Sequence, residues 1–271
     1  MSSDYAPEDL RRVAVRASSE TAALLRDIAC SEGIAERICG ETTVADKKAE
    51  DYIVDLVRSE LGGVQVVSEE MGGFSSPRGG IVALIDPLDG SANYLSCINW
   101  ASVSIAFADP SSGELLAGSV APIFHGYPVS FSRGGGCYHG GRRLARQVVR
   151  GSIIAVYVDE PGAFEAVSRL ISRVKASRRG LKVRSLGSAA LELSYVGLGY
   201  IALFADLRSR LRNIDVAAAV GIVRECGGEV TDPSGRPLEV PVSSVKRVGA
   251  VLASLDVALL SSLVIRSGDS A

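Results

Sequence analysis

Apolar side chains at Leu10, Val13, Ala17, Ala22, Leu24, Leu25 and Ile28 recur at helical spacing and predict a helix over 8–30. A polar stretch, 36–43, follows with Gly40 inside it and predicts a loop. A second helix is predicted over 46–61, with Ile53, Leu56 and Val57 on one stripe and Gly62-Gly63 as its stop. The texture then changes to short apolar runs, 64–67 and 81–85, each ending in acids: Glu69-Glu70 after the first and Asp86 after the second. Segments 102–107, 115–120 and 128–131 predict further strands of an antiparallel sheet, and Gly134–Gly136 and Gly140-Gly141 bracket a tight hairpin. From about residue 150 strand and helix alternate. Strands are predicted at 153–158, 181–185 and 200–205, and helices at 161–175, with Pro161 in its first turn, 187–196 and 214–226, the last ended by Gly227-Gly228. Segments 247–252 and 256–265 finish the chain. There is no internal repeat, low-complexity tract or flexible linker. The pattern predicts α/β layers in two coupled halves, 1–148 and 149–271, that share one core.

Composition narrows this picture. The 271 residues are ample for a buried core, and 47% hydrophobic residues exclude a disordered chain. A net charge of −2 argues against a nucleic-acid binder, whose domain is usually strongly basic. Membrane helices need roughly 18 apolar residues in a row. The richest stretch, 193–205, is too short and is broken by Gly197 and Gly199, so no membrane partner is expected. The start, MSSDYAPEDLRR, has no basic segment leading into an apolar one, so a cytoplasmic protein is expected. Five scattered cysteines without a CxxC pair are then expected as thiols. Only three Asn and two Gln occur, a scarcity of amides that marks thermophile proteins, in which intracellular disulfides do form.

The richest chemistry lies in Ile85-Asp-Pro-Leu-Asp-Gly-Ser91. A strand delivers Asp86, Pro87 forces a turn, and Asp89 falls close by. Gly90 and Ser91 then open the next segment with free backbone N–H groups, which sets an anion site beside a cation site. Taken alone, the segment reads equally well as an acidic turn. Glu69-Glu70 and Asp215, at the start of an apolar helix, bring the oxygen donors for a hard cation to four positions: Glu69, Asp86, Asp89 and Asp215. No Cys/His cluster points to zinc.

In these residues the chain resembles the inositol monophosphatase and fructose-1,6-bisphosphatase family of Mg²⁺-dependent, lithium-sensitive phosphatases, and within it the archaeal dual-activity branch. The resemblance is carried by Val67-Ser-Glu-Glu-Met-Gly72, Ile85–Asn93 (IDPLDGSAN), Leu186-Gly-Ser-Ala-Ala190, Asn213-Ile-Asp-Val-Ala-Ala218 and Glu225-Cys-Gly-Gly228, in family order over nearly the whole chain. It implies a five-layer αβαβα sandwich and a homodimer. It also implies two to three Mg²⁺ per active site, with Mn²⁺ as a substitute. Glu69, Asp86 and the Leu88 carbonyl would hold one ion; Asp86, Asp89 and Asp215 would hold the second. Asp46, three residues after Thr43, would orient the attacking water through Ser91. The Gly90 and Ser91 amides would hold the phosphate, Gly187 and Ser188 would face the sugar or inositol ring, and Asp206 would contact a substrate hydroxyl. The chain departs from many relatives in having Ser91 in place of Thr and Ile214 in place of Trp, and its Asp206–Asp215 spacing fits the archaeal branch.

The implied reaction is hydrolysis of inositol 1-phosphate, fructose 1,6-bisphosphate or both by metal-activated water, without a covalent intermediate. A bisphosphate brings a second dianion beyond reach of the metals. Arg208, Arg210 and Arg212, with Arg184 from an adjacent strand end, are candidates to clamp it. Phosphatases of 3′-phosphoadenosine 5′-phosphate or NADP-type substrates in the same family are the alternative, and a non-catalytic sugar-phosphate-binding module a remoter one. Cys137-Tyr-His-Gly-Gly-Arg-Arg143 fits the C-x5-R spacing of cysteine phosphatases, but no His precedes Cys137 and no helix follows, so it reads as a hairpin. His125 and His139 are expected to be structural or exposed, and Arg142, Arg143 and Arg146 to be a solvated edge.

Overall fold

Helix α1 (Pro7–Ile28) starts on a proline and buries Leu10, Ala17, Ala22 and Leu25 of the predicted stripe, with Ala14 beside them, while Val13, Leu24 and Ile28 are half-buried. The structure, a computed structural model, describes residues 5–39, 42–69 and 80–264. Gly40, Glu70 and the Met71-Gly72 pair therefore lie outside the described residues. The helix stops short of residue 30, where Cys30 takes a positive φ of 59° and joins Cys97 in a disulfide. Where a loop was predicted, β1 (Arg37–Cys39) and β2 (Thr42–Thr43) form a small antiparallel pair. Helix α2 (Val44–Leu61) begins two residues earlier than predicted because Thr43 caps it.

Strand β3 (Val64–Ser68) pairs parallel with β4 (Ile81–Asp89), the only parallel pair of a seven-stranded sheet among the described residues. The short helix α3 (Ser91–Leu95) follows, and then β5 (Ser102–Ala108), β6 (Leu115–Pro122), β7 (Val129–Ser132), β8 (Gly136–His139) and β9 (Arg142–Arg143) continue the sheet in chain order. One expectation changes here. The ladder does not end at Pro87: Asp86 pairs with Ser104 and, after a register shift, Asp89 pairs with Ser102. Pro87 sits inside that bulge, where it need not donate to a neighbouring strand.

The remaining elements are β10 (Ile153–Val156), α4 (Pro161–Ser177), β11 (Lys182–Arg184), α5 (Ala189–Gly197), β12 (Ile201–Asp206), α6 (Asn213–Glu225), β13 (Glu229–Thr231), β14 (Val251–Ser254) and α7 (Val257–Leu263). They build a second sheet of order β11-β10-β12-β14-β13. Three-residue β13 was not predicted, because it is too short to show a period.

Alternation along the strands sorts the core into layers. Ile81, Ala83 and Ile85 of β4 pack with α1 and α2, whereas Val82 and Leu84 face the middle of the molecule. In the second sheet Ile154 and Leu203 meet α4 and α7, whereas Ala155 and Phe204 face inward. Between the sheets lie α5 and α6, apolar on nearly every side because each is covered on every side. The result is the five-layer αβαβα sandwich. The expectation of free thiols does not hold for four of the cysteines. Besides Cys30–Cys97, Cys137 of β8 and Cys226 at the end of α6 are joined in a buried disulfide. Cys137 therefore offers no thiolate, and the cysteine-phosphatase reading falls. Among the described residues no helix is long and apolar enough to cross a membrane.

Candidate active site

Four chain segments far apart in sequence deliver acids to one cleft of about 240 Å³, lined by Asp46, Glu69, Asp86, Leu88, Asp89, Gly90, Ser91, Tyr157, Gly187, Ala189, Leu211, Arg212 and Asp215. Glu69 follows the end of β3, and the bulged end of β4 supplies Asp86, the Leu88 backbone and Asp89. Asp46 and Asp215 stand in the first turns of α2 and α6, where the helix dipole favours a negative charge.

Each acid is held by short-range structure. Thr43 and Asp46 form a capping box: the Thr43 N–H and Oγ1 donate to Asp46 Oδ2 at 2.8 and 2.7 Å, and the Asp46 N–H donates to Thr43 Oγ1. Asp86 Oδ1 accepts from the Leu88 N–H at 3.1 Å. Asp89 accepts four hydrogen bonds: from the hydroxyls of Ser188 and Ser102, and from the amides of Ala189 and Ala190 at 3.0 and 3.1 Å. The first turn of α5 is thus aimed at this one carboxylate. Gly90 takes a φ of 84°, and a Cβ there would come within 3.0 to 3.1 Å of the Gly187 and Trp100 carbonyl oxygens, so only glycine fits the turn into α3. Asn93 ties that turn to its surroundings by donating to the carbonyls of Trp100 and Leu186.

The electrostatics are those of crowded negative charge. Burial, with the charges of Asp89 and Asp215, holds the Asp86 carboxyl well above the usual carboxylate range. Burial also raises Asp89 to about 6, against the hydrogen bond from Ser188, and raises Asp215 against the pull of Arg212. Among the described residues Arg212 is the one cationic side chain lining the cleft. Its guanidinium donates to Glu69 at 2.9 Å and to Asp215 at 3.1 Å. In this arrangement no three acids among the described residues close around a single point. The donor set nevertheless suits a hard divalent cation: carboxylate oxygens outnumber the one guanidinium, and their mutual repulsion is the cost a cation would relieve.

Several expected substrate contacts prove to be engaged elsewhere. Ser188 is fully buried, its hydroxyl on Asp89 and its amide on Glu192, so its side chain does not face a ring. Asp206 is fully buried and gripped by Arg208. Arg208 divides itself between Asp206 and Asp159, with its guanidinium carbon over the Tyr157 ring 4.1 Å from the centroid, so it is no free clamp. Arg210 pairs with Glu160. Arg184 donates to the neighbouring Val183 carbonyl and borders a separate apolar groove beside α4. The arginines alternate along a short connection, and each finds the acid nearest to it. Only Arg212 of the four lines the cleft. Gly187, Gly90 and Ser91 do line it, together with two residues not singled out from sequence, Tyr157 and Leu211. Neither carried a signal: a tyrosine and a leucine at element ends look like core.

Comparison with known proteins accords with this geometry. The profile of the inositol monophosphatase family matches residues 7–263. The chain is 68% identical over 253 residues to an inositol-1-monophosphatase of Aeropyrum pernix, covering 93% of this chain and 95% of that one. It is 35% identical to a fructose-1,6-bisphosphatase/inositol-1-monophosphatase of Thermococcus kodakarensis, covering 81% of each. Among solved structures, the extragenic suppressor protein suhB from Bartonella henselae superposes with a TM-score of 0.76 at 27% identity, covering 95% of this chain and 98% of that one.

Proposed function

Because the chain belongs to the inositol monophosphatase family, whose members are generally metal-dependent phosphatases, we propose that it hydrolyses inositol 1-phosphate and, less efficiently, fructose 1,6-bisphosphate, with Mg²⁺ as its metal. The carrying observation is the convergence of Glu69, Asp86, Asp89 and Asp215 on one cleft beside the Gly90–Ser91 turn. Glu69, Asp86 and the Leu88 carbonyl would hold one ion, and Asp86, Asp89 and Asp215 a second, with Mn²⁺ able to replace Mg²⁺. Bound divalent cations acidify a water and neutralise charge on the leaving oxygen. The rest falls to the protein. Asp46, its Oδ2 fixed by Thr43, would take up the water's proton by way of the Ser91 hydroxyl. The Gly90 and Ser91 amides would orient the phosphoryl oxygens. Burial of the cleft walls strengthens each of these interactions.

The preference for the monophosphate follows from the arginines. Arg208 and Arg210 are paired with acids and Arg184 donates to a backbone carbonyl at a separate groove; of the four, Arg212 alone lines the cleft, and to meet a second phosphate it would have to share its guanidinium with Glu69 and Asp215. Phosphate release measured with Mg²⁺ should therefore give the higher kcat/KM on inositol 1-phosphate. Arg212→Ala should lower kcat/KM for the bisphosphate more than for the monophosphate, by roughly tenfold, the scale of a lost charge-assisted hydrogen bond. Equal losses would remove Arg212 from substrate recognition, and absence of phosphate release from both sugars would turn attention to nucleotide phosphates. A homodimer in the cytoplasm completes the reading, and light scattering of the purified protein tests the dimer.

A further inference from the structure

A second buried acid stands behind the cleft. Glu192 interrupts the apolar run of α5, fully buried, and does not line the cleft. Its Oε1 accepts three hydrogen bonds: from the Gly187 N–H at 2.8 Å, the Ser188 N–H at 3.2 Å and the Tyr157 hydroxyl at 3.3 Å. Its Oε2 is buried with no hydrogen-bond partner among the described residues. An acid so placed costs stability, and a core position would be served better by Leu or Met.

What it holds is the corner that leads into α5. Gly187 passes through a φ of 90°, a conformation that its own residue type leaves free to move. With both corner amides pinned by one carboxyl oxygen, Ser188 Oγ and the Ala189 and Ala190 amides are set at one distance and angle. All three donate to Asp89. Tyr157 braces Glu192 from the side of the second sheet and is itself covered by Arg208.

We infer that Glu192 is a positioning residue: by locking the Gly187–Ser188 corner it fixes the orientation of Asp89 and thereby presets the affinity of the site for its divalent cation. The inference rests on the reading of Asp89 as a metal ligand. It assigns Glu192 no contact with metal or substrate.

The test is calorimetric titration of Mg²⁺ into chelator-stripped full-length protein, with thermal unfolding in EDTA as the measure of fold. Glu192→Met keeps the volume and removes the acceptor. It should stay folded and bind Mg²⁺ at least tenfold more weakly. Glu192→Gln presents the same acceptor oxygen to the same three donors and should bind within about threefold of the parent. The double variant Glu192→Met/Ser188→Ala should be weaker than either single by less than the product of the two losses, because both act along one path. Unchanged affinity in Glu192→Met overturns the inference, and so does a Glu192→Gln variant as weak as Glu192→Met. Should Glu192→Met not fold, Glu192→Leu, which also lacks the acceptor, takes its place, and unchanged affinity there overturns the inference equally. A parent protein that binds no Mg²⁺ would overturn both the inference and the reading of Asp89 beneath it, whereas a normal parent with an indifferent Glu192 leaves that reading standing.

Discussion

Asp86 shows how a residue can be kept against the interest of the fold. Buried next to Asp89 and Asp215, its carboxyl is held well above its ordinary range. A carboxyl with a raised folded-state pKa favours the fold at low pH, and that benefit is lost as pH rises through the folded value. As pH rises above the ordinary carboxylate range, the metal-free protein therefore carries a growing penalty. Asp86→Asn keeps an oxygen to accept the Leu88 N–H while removing the charge. In EDTA its melting temperature should exceed that of the parent. With Mg²⁺ added, the parent should gain stability by ligand linkage and the variant should gain little, while its phosphatase activity falls by several orders of magnitude. A variant that is destabilised in EDTA would show that Asp86 is a structural acid. Asp89→Asn is a poorer probe, because a carboxamide N–H₂ would face donors from Ser188, Ser102, Ala189 and Ala190.

Among the elements, helix starts and strand ends carry the site. Helices α2, α5 and α6 each spend their first turn on a carboxylate: Asp46, Asp89 and Asp215. In α2 one capping box does two things, since it closes the helix and orients Asp46. Thr43→Ala should cost about 1 kcal/mol of stability, the ordinary value of a lost N-cap. It should also lower kcat by roughly 10²-fold, at the lower end of general-base assistance, with KM little changed. Chemical denaturation and steady-state kinetics measure the two effects separately. A stability loss with unchanged kcat would confine the box to capping and take Asp46 out of catalysis. The family resemblance picks out Thr43 and Asp46 three residues apart, but the predicted helix starts at Asp46 and the box itself is not read. The sequence did not show β1 and β2, whose strands are too short to have a period.

In the whole molecule, two sheets bury α5 and α6 between them, and the Cys137–Cys226 disulfide pins β8 to the end of α6 inside that layer. It closes 89 residues of sequence separation, which in the chain-entropy account is worth about 4–5 kcal/mol. Cys137→Ala/Cys226→Ala should therefore lower the melting temperature markedly while kcat at moderate temperature stays within a few fold, because neither residue lines the cleft. Loss of activity in the folded double variant would reopen a chemical role for Cys137. What the sequence by itself determined was local: the helix stripes, the acids at strand tips, the glycine turn at Gly90, the threonine three residues before Asp46. Each is written within a few residues and obeys the period or cap that local backbone geometry demands. What only the tertiary structure decided was partnership. Ser188 belongs to Asp89, 99 residues away, and Arg208 to Asp159 and Asp206 in place of a substrate, while Glu192 belongs to a corner that its own helix follows. An arginine or a serine carries the same donors wherever it stands, and only packing determines which acceptor lies within 3 Å or so of them.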